Sequence, residues 1–269
     1  MLKQRIITAL ILAPIAIACV FFLPPFEFSL FVGAVTALAA WEWANLAGYQ
    51  GYARYVYAAA IVGLLTAVSC LSPLPVLVAG SLWWMASFVL VIRYPDTAET
   101  WSRGWIRALL GIFVLVPTWV GLLVLKSGSD SSYLIILLFF LVWGTDIGAY
   151  FAGRAFGVSK LAPRVSPGKS WAGFYGGLAC GLIITVAMSV WMGKPDLASP
   201  GGIAFVAGCL FVVMVSVLGD LVVSMLKRER GIKDTSNLLP GHGGILDRID
   251  SLSSASPVFA LLILLYGWT

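Results

Sequence analysis

Long apolar stretches alternate with short polar breaks along the whole chain. Nine of these stretches approach the ~20 residues that a helix needs to cross a bilayer. They cover residues 6–23, 26–46, 55–72, 74–92, 108–125, 133–151, 171–192, 203–226 and 253–268. A transmembrane barrel would instead show segments of about 10 residues with alternating polarity. Because lipid offers no partner to backbone polar groups, the pattern predicts an all-α, polytopic membrane bundle with about nine transmembrane helices.

Composition and charge agree with that prediction. Hydrophobic residues make up 60% of the 269 residues and charged residues 11%, whereas soluble proteins have about 45–50% and about 25%. These proportions exclude a soluble enzyme, a disordered chain and a secreted disulfide scaffold. No separate soluble segment interrupts the pattern, so residues 1–269 are predicted to form a single membrane-embedded domain.

The positive charges indicate the orientation of the bundle. With the N-terminus in the cytoplasm, all but two of the 17 lysines and arginines lie on the cytoplasmic side, the exceptions being Lys126 and Lys194. This asymmetry is the one that the positive-inside rule describes. The net charge of +5 therefore follows from topology and does not indicate a nucleic-acid partner.

Three acidic residues lie inside predicted spans, toward their cytoplasmic ends: Glu42, Asp146 and Asp220. Ionisable groups are costly in a bilayer, so each of them indicates a functional site. Their common depth predicts that they line one cavity that faces the cytoplasm. Glu42 stands between two tryptophans, and for this residue we favour a surface acid that reaches toward the headgroups.

The eighth span ends with an acid, a hydroxyl and two bases on one helix face. Ser224, Lys227 and Arg228 follow Asp220 at spacings of four, seven and eight residues, which place all of them on the same side of a helix. This set is suited to binding phosphate. A structural ion pair beside ordinary cytoplasmic charges has the same pattern and stays open as an alternative.

The segment after that span, residues 231–251, combines glycines with acids and bases. Its candidate positions are Lys233, Asp234, His242, Gly243, Gly244, Asp247, Arg248 and Asp250. A short helix would present Asp247 and Asp250 together, and the glycines allow the backbone to approach a ligand. Carboxylates that hold a hard cation, beside bases that hold phosphate oxygens, are typical of magnesium-dependent phosphate chemistry. For His242 a phosphate hydrogen bond or a role in bracing the loop is favoured over metal ligation.

A second basic loop precedes the seventh span and contains Ser166-Pro167-Gly168-Lys169-Ser170. This sequence imitates the end of a Walker A loop, but Pro163 occupies the position of the required glycine. We interpret Ser166, Lys169 and Ser170 as phosphate or headgroup contacts at the start of a helix, where backbone amides favour anions. Ordinary positive-inside charge is the alternative.

Several fixed positions in these segments match a known family. The first array runs Ser224-x2-Lys227-Arg228-x4-Lys233-Asp234 and continues as Pro240-Gly241-His242-Gly243-Gly244-x2-Asp247-Arg248-x-Asp250. The supporting motifs are Trp143-x-Thr145-Asp146-x2-Ala149-Tyr150 and Ser166-Pro167-x-Lys169-Ser170-Trp171-x-Gly173. Together they resemble the phosphatidate cytidylyltransferases, also called CDP-diacylglycerol synthases. Gly168 and Ala172 depart from the family's pattern, and no role is assigned to them.

The resemblance implies an enzyme that joins CTP to phosphatidate in the bilayer, uses Mg²⁺ and releases pyrophosphate. It also implies a homodimer in the bacterial inner membrane with its active site facing the cytoplasm. Mg²⁺ is expected on Asp220 and Asp247, and a second, monovalent or divalent cation is left open. The other catalytic positions are Ser224, Lys227, Arg228, Lys233, Asp234, Arg248 and Asp250. The substrate-binding positions are Asp146, Ser166, Lys169, His242, Gly243 and Gly244.

Two other classes of protein fit part of the pattern. A CTP-dependent membrane lipid or polyprenol kinase would release CDP instead of pyrophosphate. An ion-coupled transporter would also carry acids inside its spans, but it should show repeated halves or broken helices near the midplane. The acids of this chain gather at one end of the predicted bundle, which favours the cytidylyltransferase.

Overall fold

A computed structural model of the chain describes residues 2–193 and 196–267. In that part of the chain the backbone forms ten helices and one two-stranded hairpin. The helices are α1 (Leu2–Phe22), α2 (Pro25–Leu46), α3 (Tyr52–Val68), α4 (Pro73–Ile92), α5 (Ala98–Trp101), α6 (Gly104–Ser127), α7 (Ser131–Phe156), α8 (Trp171–Met192), α9 (Pro200–Arg230) and α10 (Leu246–Tyr266). The antiparallel strands β1 (Lys160–Ala162) and β2 (Ser166–Ser170) lie between α7 and α8. The predicted all-α bundle is therefore confirmed.

Six of the nine predicted spans are supported by length and composition. Among the described residues, α4, α6, α7, α8, α9 and α10 are long and apolar enough to cross a membrane. The three other predicted spans coincide with α1, α2 and α3, and α3 has only 17 residues. The count of nine thus stays a prediction. Lys194 and residue 268, the last of the ninth predicted span, lie outside the described residues.

The last helix begins earlier than the hydropathy pattern predicts. The predicted span starts at residue 253, whereas α10 starts at Leu246 and includes Asp247 and Asp250 in its first two turns. The predicted short helix that presents these two acids is therefore the beginning of a membrane-spanning helix. Polar residues in the first turns lower the local hydropathy and hide the start of the helix.

Local sequence explains several helix ends. The Oγ of Ser199 accepts a hydrogen bond from the backbone N–H of Gly202 at 3.0 Å and caps α9. At the other end of α9, Gly231 adopts a left-handed conformation with φ of 71°, which residues with a Cβ rarely adopt. The α9 helix therefore ends there, and a loop of residues 231–245 joins it to α10. We call this loop the signature loop.

Buried hydroxyl groups join α10 to its neighbours. Thr118 of α6 donates its hydroxyl to the carbonyl of Ser253 at 2.9 Å, and Ser256 donates back to the carbonyl of Thr118 at 3.0 Å. Ser254 donates to the carbonyl of Val215 in α9 at 2.8 Å. Hydrogen bonds between helices are a common means of association in membrane bundles. They fix α10 against α6 and against the middle of α9.

Candidate active site

An ion pair connects the hairpin to α9. The Nζ of Lys169 lies 2.6 Å from the Oδ2 of Asp220, and Ser224 donates its hydroxyl to the Oδ1 of the same carboxylate at 3.0 Å. The contact of Asp220 with Ser224 is the one that the four-residue spacing predicts. The partnership with Lys169 brings a residue of the predicted basic loop to the eighth predicted span.

A second ion pair connects the end of α9 to the beginning of α10. The Nζ of Lys227 lies 2.7 Å from the Oδ1 of Asp247, and the two side chains are 13% and 3% exposed. The Oδ2 of Asp247 accepts hydrogen bonds from the backbone N–H of Thr235 at 2.8 Å, from its hydroxyl at 2.9 Å and from the N–H of Gly244 at 3.0 Å. Both oxygens of this carboxylate are therefore held in place.

Two further acids belong to the same charged region. Asp146 of α7 lines the same cavity as Lys169. Asp250 follows Asp247 by three residues in α10, and its backbone carbonyl lies close to Gly219, which precedes Asp220 in α9. The structure thus brings together acids and bases from α7, β2, α9 and α10. This acid–base cluster consists of Asp146, Lys169, Asp220, Lys227, Asp247 and Asp250.

A cavity of about 350 Å³ adjoins the cluster between α7, the hairpin and α8. Its walls include polar and charged side chains, among them Thr145, Asp146, Tyr150, Arg154, Lys169 and Ser170. The volume is at the lower end of the roughly 300–1,000 Å³ of small-molecule sites. The cavity therefore offers room for part of a ligand directly beside the Lys169–Asp220 pair.

Glu42 is not a surface acid, and that interpretation was wrong. Its side chain is 0% exposed. Its Oε2 accepts hydrogen bonds from the hydroxyl of Thr235 at 3.1 Å and the N–H of Leu246 at 2.6 Å. Its Oε1 accepts from the hydroxyl of Ser236 at 2.6 Å and the N–H of Ile245 at 3.0 Å. The donors come from the signature loop and the start of α10, which are distant from Glu42 in the sequence. The tryptophans on either side of Glu42 therefore could not predict these hydrogen bonds.

The two glycines that were expected to approach a ligand lie against protein carboxylates. Gly243 has φ of 80°, and a Cβ there would lie 2.9 Å from the Oδ2 of Asp247. A Cβ on Gly244 would lie 2.6 Å from both carboxylate oxygens of Glu42 and closer still to the hydroxyl of Thr235. The absence of side chains at these positions lets the signature loop close around the two acids.

The remaining predicted residues lie in the hairpin, in the signature loop and at the facing ends of α9 and α10. The Nε–H of Arg228 donates to the carbonyl of Val165 at 3.3 Å and so links α9 to the hairpin. Ser166 follows Val165 as the first residue of β2. The backbone N–H of His242 donates to the carbonyl of Leu239 within the signature loop at 2.9 Å. The side chains of three further predicted residues are exposed: Lys233, Asp234 and Arg248.

The sequence of the chain matches the model of a family described as the cytidylyltransferase family over residues 3–266. It is 53% identical to a phosphatidate cytidylyltransferase from Pseudomonas aeruginosa, over 100% of this chain and 99% of that protein. The chain belongs to the phosphatidate cytidylyltransferase family. A relative of the same name from Haemophilus influenzae is 38% identical over 97% of this chain and 98% of its own length. One from Brucella suis is 36% identical over 99% and 93%.

The predicted resemblance to phosphatidate cytidylyltransferases is thus confirmed over nearly the whole chain. With six long apolar helices among the described residues, this family member is a multi-pass membrane protein. Thr235 was not among the predicted site residues of the family motif. Its position next to Asp234 could have suggested it, but its contacts with two acids depend on tertiary structure.

The acids of the cluster suit the Mg²⁺ that the phosphatidate cytidylyltransferase family implies. Among the described residues no three His, Cys, Asp or Glu side chains form a ready metal cage. Mg²⁺ rarely needs one, because it keeps several waters and takes one or two carboxylates together with substrate phosphates. Asp220 and Asp247 supply carboxylate oxygens of the required kind, each next to a lysine. The donor set therefore fits a Mg²⁺ ion that binds together with a phosphate substrate.

Proposed function

We propose that this chain transfers the cytidylyl group of CTP to phosphatidate, giving CDP-diacylglycerol and pyrophosphate for phospholipid biosynthesis. Family membership and the name shared by its relatives support this reaction. The observation that carries the proposal is the pair of partly buried lysine–aspartate contacts, Lys169 with Asp220 and Lys227 with Asp247, at one end of a membrane bundle. Cations next to carboxylates support a site that binds the phosphates of a soluble nucleotide and of a membrane lipid.

The chemistry of the reaction requires cations more than a general base. A phosphate oxygen of phosphatidate attacks the α-phosphorus of CTP, and the bond from that phosphorus to the β-phosphate oxygen breaks. The nucleophile is already an anion, so little help with proton removal is needed. The main barrier is repulsion between the phosphates and the charge that develops on the leaving pyrophosphate. Positioned cations in a site shielded from water reduce both.

In this proposal the two lysines of the cluster are the cations that bind the phosphates. Lys169 and Lys227 each contact a carboxylate that fixes the position of the ammonium group. We assign phosphate binding to these lysines together with Arg228, Lys233 and Arg248, and the orientation of one phosphate to Ser224. We assign substrate binding to Asp146, Ser166, His242, Gly243 and Gly244, and a catalytic role to Asp234 in the signature loop. Cations held in advance need little rearrangement during the reaction.

We assign Mg²⁺ to Asp220 and Asp247, with Asp250 close by. When bound, the ion would neutralise charge on the triphosphate and on the departing pyrophosphate. Asp220 and Asp247 would hold it while their lysines face the phosphates. A second, monovalent or divalent cation is included in the proposal because Asp146 and Asp250 add two more carboxyl groups to the cluster.

We further propose that the site faces the cytoplasm of a bacterial inner membrane and that the enzyme is a homodimer. The distribution of lysine and arginine along the chain supports this orientation. The acyl tails of phosphatidate would stay in the bilayer while CTP enters from the aqueous side. The dimer rests on the family resemblance, and the mass of the detergent-solubilised protein by light scattering tests it.

The reaction is tested with purified protein in mixed micelles that contain phosphatidate and α-labelled CTP, with Mg²⁺ or with EDTA. We expect label in the lipid phase only with Mg²⁺, together with an equal amount of pyrophosphate. Release of CDP without labelled lipid would indicate a lipid kinase and overturn the proposal. If a folded protein gives neither signal, the transporter alternative becomes the favoured one.

A further inference from the structure

We infer that Glu42 and Thr235 are positioning residues for Asp247, an inference that rests on the proposed function. Neither residue is a fixed position of the motifs that carry the family resemblance. Thr235 is 0% exposed, as Glu42 is. Its hydroxyl lies 2.9 Å from the Oδ2 of Asp247 and 3.1 Å from the Oε2 of Glu42. One hydroxyl group therefore bridges the acid of α2 and the proposed metal-binding acid of α10.

The bridge makes the two carboxylates depend on each other. A threonine hydroxyl carries one proton, so Glu42 and Asp247 share a single donor at this point. Asp247 also takes the backbone N–H of Thr235 at 2.8 Å. A shift of Thr235 therefore moves two of the three donors that hold the Oδ2 of Asp247. The other oxygen of Asp247 then no longer points reliably at Lys227.

Helix α2 holds this threonine from a second direction. The side-chain amide of Asn45 donates to the carbonyl of Thr235 at 3.0 Å. Asn45 and Glu42 lie three residues apart and face the same loop, as the helical repeat requires. The backbone of Thr235 is thus fixed by one α2 residue and its hydroxyl by another.

Glu42 also determines where α10 begins. It accepts the N–H groups of Ile245 and Leu246, which are at the N-terminus of that helix, where an anion is favourable. Asp247 is the next residue in the chain. Glu42 therefore constrains Asp247 from two sides, through Leu246 along the backbone and through Thr235 across the loop. Glu42 thus contacts both the residue that precedes Asp247 in the chain and the threonine that donates to its carboxylate. Core packing alone would not require both contacts.

A threonine-to-valine exchange isolates the hydroxyl. Thr235→Val keeps the shape of the side chain, and Thr235→Ser keeps the hydroxyl. Hydrogen bonds to charged groups are stronger than those between neutral groups. Because Thr235→Val removes such a bond to Asp247, we expect its kcat for CDP-diacylglycerol formation to fall by about tenfold or more. Thr235→Ser should recover most of that loss. The KM for CTP should change less than kcat, because the change affects the orientation of an acid and removes no phosphate contact.

Thr36→Val is the matched control. Thr36 lies in α2 with Glu42, is 4% exposed and donates its hydroxyl to the carbonyl of Val32 at 2.8 Å, within its own helix. Its exchange removes a buried hydroxyl without touching the signature loop. We expect its kcat to equal that of the unchanged protein. The unfolding midpoint in detergent is measured for all variants, so that a loss of folded protein is not mistaken for a loss of rate.

Glu42→Gln provides a second test if Thr235→Val does not fold. The amide keeps the size of the side chain, but its NH₂ group replaces one of the two oxygens, each of which accepts two hydrogen bonds in the unchanged protein. Two donors then lose their acceptor, so kcat should again fall by about tenfold or more. A folded Thr235→Val or Glu42→Gln variant with an unchanged kcat overturns the inference. So does an equal loss in Thr235→Ser and Thr235→Val. An unchanged protein that makes no CDP-diacylglycerol overturns the proposed function, and the inference with it.

Discussion

Lys227 and Asp247 join the last turns of α9 to the first turn of α10 by a contact of 2.7 Å between Nζ and Oδ1. The signature loop between them closes back on the same carboxylate, which accepts the N–H of Gly244. The signature loop and the end of α9 therefore both contact the carboxylate of Asp247, which belongs to the beginning of α10. This arrangement makes the chemistry of the site sensitive to single side chains in all three segments.

Asp247→Asn should abolish activity while leaving the protein folded. The amide removes the negative charge that faces Lys227 and turns an NH₂ group toward existing donors. Loss of one preorganised electrostatic group in an active site commonly lowers kcat by about 100-fold or more. The rate of lipid labelling from CTP measures the effect, and size-exclusion chromatography checks the fold. Substantial turnover in the variant would remove Asp247 from the proposed metal site.

Lys169→Gln should lower kcat/KM by about 10-fold to 100-fold, because it removes a cation from the cavity and leaves Asp220 with the hydroxyl of Ser224 but without its ion-pair partner. Lys160→Gln is the matched control, since Lys160 lies in the same hairpin and is exposed. Steady-state rates at several CTP concentrations compare the two. Equal effects of both variants would mean that Lys169 contributes only general positive charge.

Gly219→Ala should destabilise the bundle by about 1–3 kcal/mol because of overpacking. A Cβ at this position of α9 would lie 2.5 Å from the carbonyl oxygen of Asp250 and would also collide with the hydroxyl of Ser254. Gly63→Ala is the control, because a Cβ on Gly63 meets nothing within 4 Å. Thermal unfolding in detergent measures both. A Gly219→Ala variant with an unchanged midpoint would show that α9 and α10 can separate at no cost.

Removal of Mg²⁺ should stop the reaction without unfolding the protein. Since no cage of three acidic, histidine or cysteine side chains exists among the described residues, we expect the ion to bind chiefly together with CTP. A ligand stabilises the folded state only when it binds. Mg²⁺ and CTP together should therefore raise the unfolding midpoint more than either alone. A large rise with Mg²⁺ alone would instead indicate a complete metal site in the protein.

Patterns over short stretches of the sequence predicted the long helices, one contact of the site and the family. Apolar runs of bilayer length predicted the long helices, because a backbone in lipid must satisfy its own hydrogen bonds. The spacing of Asp220 and Ser224 predicted their contact, since residues four apart are neighbours on any helix. The motif around Asp247 and Asp250 predicted the family, because its fixed positions lie close together in the chain.

Only the tertiary structure decided which distant residues meet. The partnership of Lys169 with Asp220 depends on how the hairpin packs against α9. The burial of Glu42 depends on donors from residues 235–246, and no local pattern around Glu42 contains them. A helical repeat specifies which face a side chain occupies but not which helix lies opposite. That second choice follows from the packing of the whole bundle, where a buried acid is stable only next to enough donors.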